Sequence, residues 1–183
     1  EQEYVPGSTR QNVDSERTED VYRAISLSFS YLGGADAIET YISKSGKDIY
    51  EVAFYRHLAG YYLSRDRYTD AANTYKAYID RHPLSETSAT YGMGIIEVYQ
   101  QGKFYDLAIG ARADYAKRFG PETAYAKQLD PEAQQRTAEL QKNNIRALAS
   151  YYHARFQKLP DGKARQASYK AAMHWYREYY YLF

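Results

Sequence analysis

The chain has 183 residues, 44% of them apolar, with 24 Lys and Arg against 23 Asp and Glu. That length suits one ordinary domain or a short repeat array with a sizeable core, and a net charge of +1 lacks the basic bias of a dedicated nucleic-acid binder. A mean hydropathy of −0.74 without any apolar run of the ~18 to 20 residues a membrane helix needs excludes a membrane-spanning helix, and the lack of cysteine excludes disulfides, thiol catalysis and Cys-ligated metal sites.

Residues 1–17 mix Pro6, Gly7, Ser8 and Thr9 with charges and show no apolar period, so they read as a flexible N-terminal arm. From Thr18 onward apolar residues recur at helical spacing, as in Val52, Tyr55, Leu58, Ala59 and Tyr62, and the alternation of a strand is missing; the predicted class is all-α. Turn signals at Gly33-Gly34, Ser45-Gly46-Lys47, Asp66-Arg67, His82-Pro83, Gln101-Gly102, Gly120-Pro121, Asp130-Pro131 and Pro160-Asp161-Gly162 cut this region into about eight paired helices. Asp130-Pro131 is a helix start, with Asp as N-cap and Pro at the first helical position. The ending Tyr179-Tyr180-Tyr181-Leu182-Phe183 is an aromatic surface of the sort that truncating a repeat array would uncover, and the expectation is a piece of a longer protein.

Paired helices call for a self-comparison. In a 34-residue window starting at Val52, Tyr55, Leu58, Ala59, Tyr62, Tyr68, Ala71, Tyr75 and Pro83 fall at positions 4, 7, 8, 11, 17, 20, 24 and 32. Small residues at 8 and 20 let two helices of a hairpin approach, and aromatics at 4, 11 and 24 fill the space beside them. This spacing resembles the tetratricopeptide repeat, with Tyr78 at position 27 where a small residue is usual. The resemblance implies an α-solenoid with a right-handed superhelix, built here from four hairpins at 18–51, 52–83, 84–120 and 131–183. Residues 157–166 either lengthen both helices of the last hairpin or form a loop, and 120–130 are extra. Stretches such as Tyr75-Lys76-Ala77-Tyr78-Ile79-Asp80-Arg81-His82-Pro83 look like bacterial envelope tetratricopeptide proteins of the outer-membrane assembly lipoprotein kind, which implies a periplasmic or outer-membrane-associated setting.

The residues offer little chemistry. His57, His82, His153 and His174 lack a partner at the spacing of a zinc helix, neither Gly33-Gly34 nor Gly92-Met93-Gly94 is a phosphate loop, and the Gly-x-Ser-x-Gly nucleophile turn is missing. The expectation is a protein without catalysis, cofactor or metal. There are 23 tyrosines; Tyr41, Tyr55, Tyr62, Tyr75, Tyr91 and Trp175 fall at packing positions of the repeat, whereas Tyr61, Tyr78, Tyr105, Tyr151, Tyr176, Tyr180 and Tyr181 fall at junctions or on the surface.

In the family, ligands lie in the concave groove lined by the first helix of each hairpin. Position by position this implies Glu19, Tyr22, Ser26 and Phe29; Ala53, Arg56, Gly60 and Leu63; Tyr91 or Gly92, Ile96 and Tyr99; and Asn143, Arg146, Ser150 and His153. The partner-binding residues expected are Tyr22, Phe29, Arg56, Leu63, Ile96, Tyr99, Arg146 and His153. Gly60 stands where Asn would be needed to clamp a C-terminal carboxylate, so that clamp is not expected. The predicted function is a scaffold that binds a partner protein or peptide. Two alternatives stand beside it: an envelope assembly or secretion component contacting glycan or a membrane complex, and a self-association module using the Trp175–Phe183 face. Charge is uneven, with nine Lys and Arg against four Asp and Glu over 131–183 and two against six over 1–20.

Overall fold

In a computed structural model, residues 6–183 are described, with side chains from Arg17 onward. The described residues form nine α-helices and no β-strand, so the chain is all-α. They divide into two compact units, 1–78 and 79–183.

The first unit contains α1 (Pro6–Tyr31), α2 (Ala35–Ser45), a 3-10 turn (Asp48–Tyr50), α3 (Glu51–Leu63) and most of α4 (Tyr68–Arg81). Residues 1–5 of the expected arm lie outside the described residues. The rest of that arm departs from expectation, because α1 already runs from Pro6. The physical reason is local: Pro suits a first helical turn, and the following Arg, Gln and Glu are good helix formers that need no apolar stripe. The turn between α1 and α2 uses Gly33 and Gly34 at φ 113° and 70°, a region L side chains avoid. At Gly34 a Cβ would also stand 3.0 Å from the Tyr62 hydroxyl, so the turn fits closely over α3.

Each helix of this unit buries one stripe. α2 buries Ile38 and Ile42, one turn apart, and α3 buries Phe54, Tyr55, Leu58, Ala59 and Tyr62. Phe29 meets Tyr41 and Phe54 edge to face at 6.1 and 5.5 Å, and Tyr55 meets Tyr78 the same way at 5.4 Å. Aromatic pairs in that geometry add about 0.5–1.5 kcal/mol beyond their buried area. Ala59 and Ala71, the small residues of the 34-residue pattern, are both fully buried. Tyr78, expected at a junction or on the surface, is buried instead, because its ring packs on Tyr55. Tyr75, expected to pack inside, is only half-buried.

The second unit holds α5 (Glu86–Gln101), α6 (Tyr105–Arg118), α7 (Ala124–Lys127), α8 (Pro131–Lys158) and α9 (Lys163–Leu182). Three of its helices, α5, α7 and α8, start on side-chain caps: Ser85 accepts from Thr87 N, Thr123 from Ala126 N, and Asp130 from Ala133 N at 2.8 Å, with Pro131 following as expected. α8 buries Ala133, Thr137, Gln141, Asn144, Ile145, Leu148 and Ala149, an unbroken stripe at helical spacing. Ala116, Ile145, Leu148, Ala149 and Trp175 form the core where α6, α8 and α9 meet. Residues 157–166 lengthen both helices around a short turn, since α8 ends at Lys158 and α9 starts at Lys163. In the extra segment at 120–130, α7 tucks the Tyr125 ring edge-on against Phe119 at 4.9 Å.

Candidate functional site

A concavity of about 790 Å³ in the first unit opens between α1 and α3 and reaches Tyr75 of α4. α1 contributes Glu19, Arg23, Ser26 and Leu27. α3 and the residues after it contribute two adjacent stripes, Arg56, Gly60, Ser64 and His57, Tyr61, Arg65. Members of each stripe are four apart, so on a helix they stand above one another. A sequence with Leu58, Ala59 and Tyr62 on the buried side must turn exactly these residues outward, and the groove is therefore a by-product of how α3 packs.

His57 sits at one end of this groove. Its ring lies flat on Tyr22 of α1, with centroids 4.1 Å apart and planes 3° from parallel. Nδ1 stands 3.7 Å from Glu19 Oε2, and Arg56 Nη2 donates to Nε2 across 3.3 Å. An acceptor at Nε2 means that the proton of the neutral ring is on Nδ1, facing Glu19. Burial holds the imidazole pKa below its ordinary value; Glu19 opposes that shift and the Arg56 charge adds to it.

The arginines of the groove differ in their engagement. Arg23 donates to Asp20 across 3.2 Å on the surface. Arg56 touches His57, and Arg65 lies 5.9 Å from the Tyr61 ring centre. Neither Arg56 nor Arg65 has a carboxylate partner among the described residues. Gly60, which lines the groove, is exposed in the last turn of α3, and a Cβ added there would meet nothing within 4 Å. Gly in a helix interior is about 1 kcal/mol worse than Ala, so no packing demand of the described residues accounts for it.

Of the residues predicted to bind a partner, Arg56 lines this groove directly, and Glu19, Ser26 and Gly60, carried over with it, do too. Tyr22 stands behind His57 and faces a second cavity of about 470 Å³ with Val21, Ile25, Tyr41 and Phe54. Leu63 is half-buried and does not line the groove. Phe29 requires correction: it is 7% exposed and belongs to the aromatic core. Ile96 requires the same correction at 0% exposure, because its place on α5 faces the core of the second unit. Arg23, Tyr61, Ser64 and Arg65 were missed as groove residues. The signal for Tyr61, Ser64 and Arg65 was the i, i+4 continuation of Arg56 and His57 along α3.

In the second unit, Arg146 donates to Asn143 across 3.3 Å. Gln157 donates to His153 Nε2 at 3.2 Å, which leaves the ring proton on Nδ1, 2.9 Å from the Tyr176 hydroxyl. Tyr99 is half-buried, and burial raises its phenol pKa. Trp175, counted in the expected self-association face, is buried in the core, whereas Tyr180 and Tyr181 are 83% and 81% exposed. No cluster of three or more His, Asp or Glu suited to a metal ion occurs among the described residues, and none of their helices is long and apolar enough to cross a membrane. In comparisons with protein-family models, curated proteins and solved structures, nothing matches this chain.

Proposed function

We propose that the chain is a non-catalytic binding module of tetratricopeptide-like build, which holds an extended segment of a partner protein in the groove of its first unit. The observation that carries this reading is Gly60: an open glycine in the last turn of α3, lining a cavity of about 790 Å³. A missing side chain that nothing in the described residues requires leaves room for an incoming backbone, at a standing expense in helix stability. The groove residues Glu19, Ser26, Arg56 and Gly60 are also ones the repeat resemblance implies, and the fully buried Ala59 and Ala71 suit its close hairpin contact.

The test is an array of randomised ten-residue peptides with amidated ends, probed with the wild-type chain and with Gly60→Leu. The replacement meets open space and favours the helix, so folding and thermal stability are retained. Peptides bound by the wild type and lost in Gly60→Leu support the reading. An unchanged set of bound peptides, or none at all, refutes it.

A second reading, self-association, draws on one observation: Tyr180, Tyr181 and Phe183 stand exposed together at the end of α9. Light scattering at high concentration checks it, and a monomer there removes it.

A further inference from the structure

We infer that the groove of the first unit selects an acidic segment, one whose side-chain carboxylates are spaced to meet Arg56 and Arg65 on either side of Gly60. The inference rests on the binding reading above and adds the chemistry of the ligand. Arg56 and Arg65 are exposed and without a carboxylate partner among the described residues, so a ligand anion does not have to displace an internal one. Their contacts also pre-position them. Arg56 is held at His57 Nε2 and Arg65 beside the Tyr61 ring, which reduces the side-chain freedom that binding would otherwise remove. Guanidinium binds carboxylate by two parallel N–H donors, and such charge-assisted bonds are about twice as strong as neutral ones.

Arg56 stands on α3 and Arg65 in the turn that follows its end at Leu63, so their two positive charges enter the groove from separate points of the backbone. A segment with two acidic side chains meets both. Gly60, in the last turn of α3 between them, leaves open space for the backbone of that segment. The one acid of the groove, Glu19, is turned toward His57 Nδ1, at the Arg56 end.

The same peptide array tests this directly. Among peptides that depend on Gly60, Asp and Glu are expected to be enriched at two positions. Arg56→Gln and Arg65→Gln should each lower the affinity of a selected peptide about tenfold, with peptides in which the acids are replaced by Asn and Gln losing as much. Added salt should weaken wild-type binding more than binding by the double variant. Gly60-dependent peptides without acidic preference, or unchanged affinity in both arginine variants, overturn the inference and leave the groove reading standing. If Gly60→Leu changes nothing, the groove reading itself fails. Competition by millimolar inorganic phosphate as strong as by the acidic peptide would also overturn it, since it would mean a simple anion suffices.

Discussion

The two units differ in how far apart in the chain their polar partners lie: in the first, Arg67 pairs with Asp70 at 2.6 Å and Arg23 with Asp20 at 3.2 Å, each within one helical turn. In the second, polar groups are turned on one another across the fold: Arg118 pairs with Asp80 at 2.9 Å, Arg112 donates to the fully buried Asn144 at 2.5 Å, Gln141 donates to the Ala116 carbonyl at 2.8 Å, and the Tyr151 hydroxyl donates to Asp106 at 3.0 Å. In the first, the core is mainly aromatic and aliphatic, while Arg56 and Arg65 are left beside an open glycine. Tying each cation to an internal partner removes the side-chain freedom that a surface needs to meet something else. Leaving it next to a concavity preserves that freedom. In an all-helical chain, charge without an internal carboxylate partner beside a concavity marks a surface open to a ligand more clearly than residues with many internal contacts do.

The largest test of that contrast concerns the cores, which should be equally intolerant. Leu58 in the first unit and Leu148 in the second are both fully buried, and either Leu→Ala change should lower stability by about 2–5 kcal/mol. Trp175 is the only tryptophan and packs in the Leu148 cluster. Native-state tryptophan emission should therefore shift in Leu148→Ala and stay in place in Leu58→Ala, while urea denaturation reads the loss in both. A Leu58→Ala chain as stable as wild type would mean that the first unit is not packed as described.

Glycine separates the units more sharply, because the same substitution should act with opposite signs. At Gly92 an added Cβ would stand 2.9 Å from Phe119 Cε2 and 3.0 Å from Tyr115 Cδ2, and both rings are buried with little room to move. Overpacking outweighs the helix-propensity gain there, and Gly92→Ala should lose about 1 kcal/mol. At Gly60 nothing opposes the methyl, so Gly60→Ala should gain up to about 1 kcal/mol. Thermal melting of the two variants reads both signs. A loss at Gly60 would show that the site is constrained from within, and the case for a ligand-facing glycine would go with it.

Much of this was readable in the sequence. Ala59 and Ala71 fall on the inward face of the helical period and are fully buried, and Asp130-Pro131 announces a helix start because both satisfy the first turn. The site was less legible. Phe29 and Ile96 occupy repeat positions that face a groove in the family, yet a periodic pattern gives a face only to within one residue's rotation of about 100°, and here that rotation brings both inward. The long-range ties of the second unit were invisible for another reason. Arg112 with Asn144, or Tyr151 with Asp106, are joined by the packing of separate helices, and nothing in local spacing specifies such partners. The start of α1 is not legible from an apolar period, because this segment forms a helix without one.

The smallest expected effect lies at His57, where the two α1 and α3 contributions meet. Burial and Arg56 favour the neutral ring and outweigh Glu19, so the folded chain binds a proton at His57 less readily than the unfolded chain does. A lowered folded value means that this contribution to stability is complete above the ordinary histidine pKa of about 6.5 and is lost as pH falls through the lowered one. Its size should be about 0.5 kcal/mol or less, since the partner Glu19 is 61% exposed and water screens the pair even though the imidazole itself is only 16% exposed. Urea midpoints at pH 7.5 and pH 5 for the wild type and His57→Gln measure it by difference, which cancels the titration of every other group. The wild type should lose slightly more stability on acidification than the variant. A larger loss in the variant would mean that Glu19 dominates, with the charged ring favoured in the fold, and the Arg56 guanidinium would then be turned away from His57 and freer in the groove than its 3.3 Å contact implies.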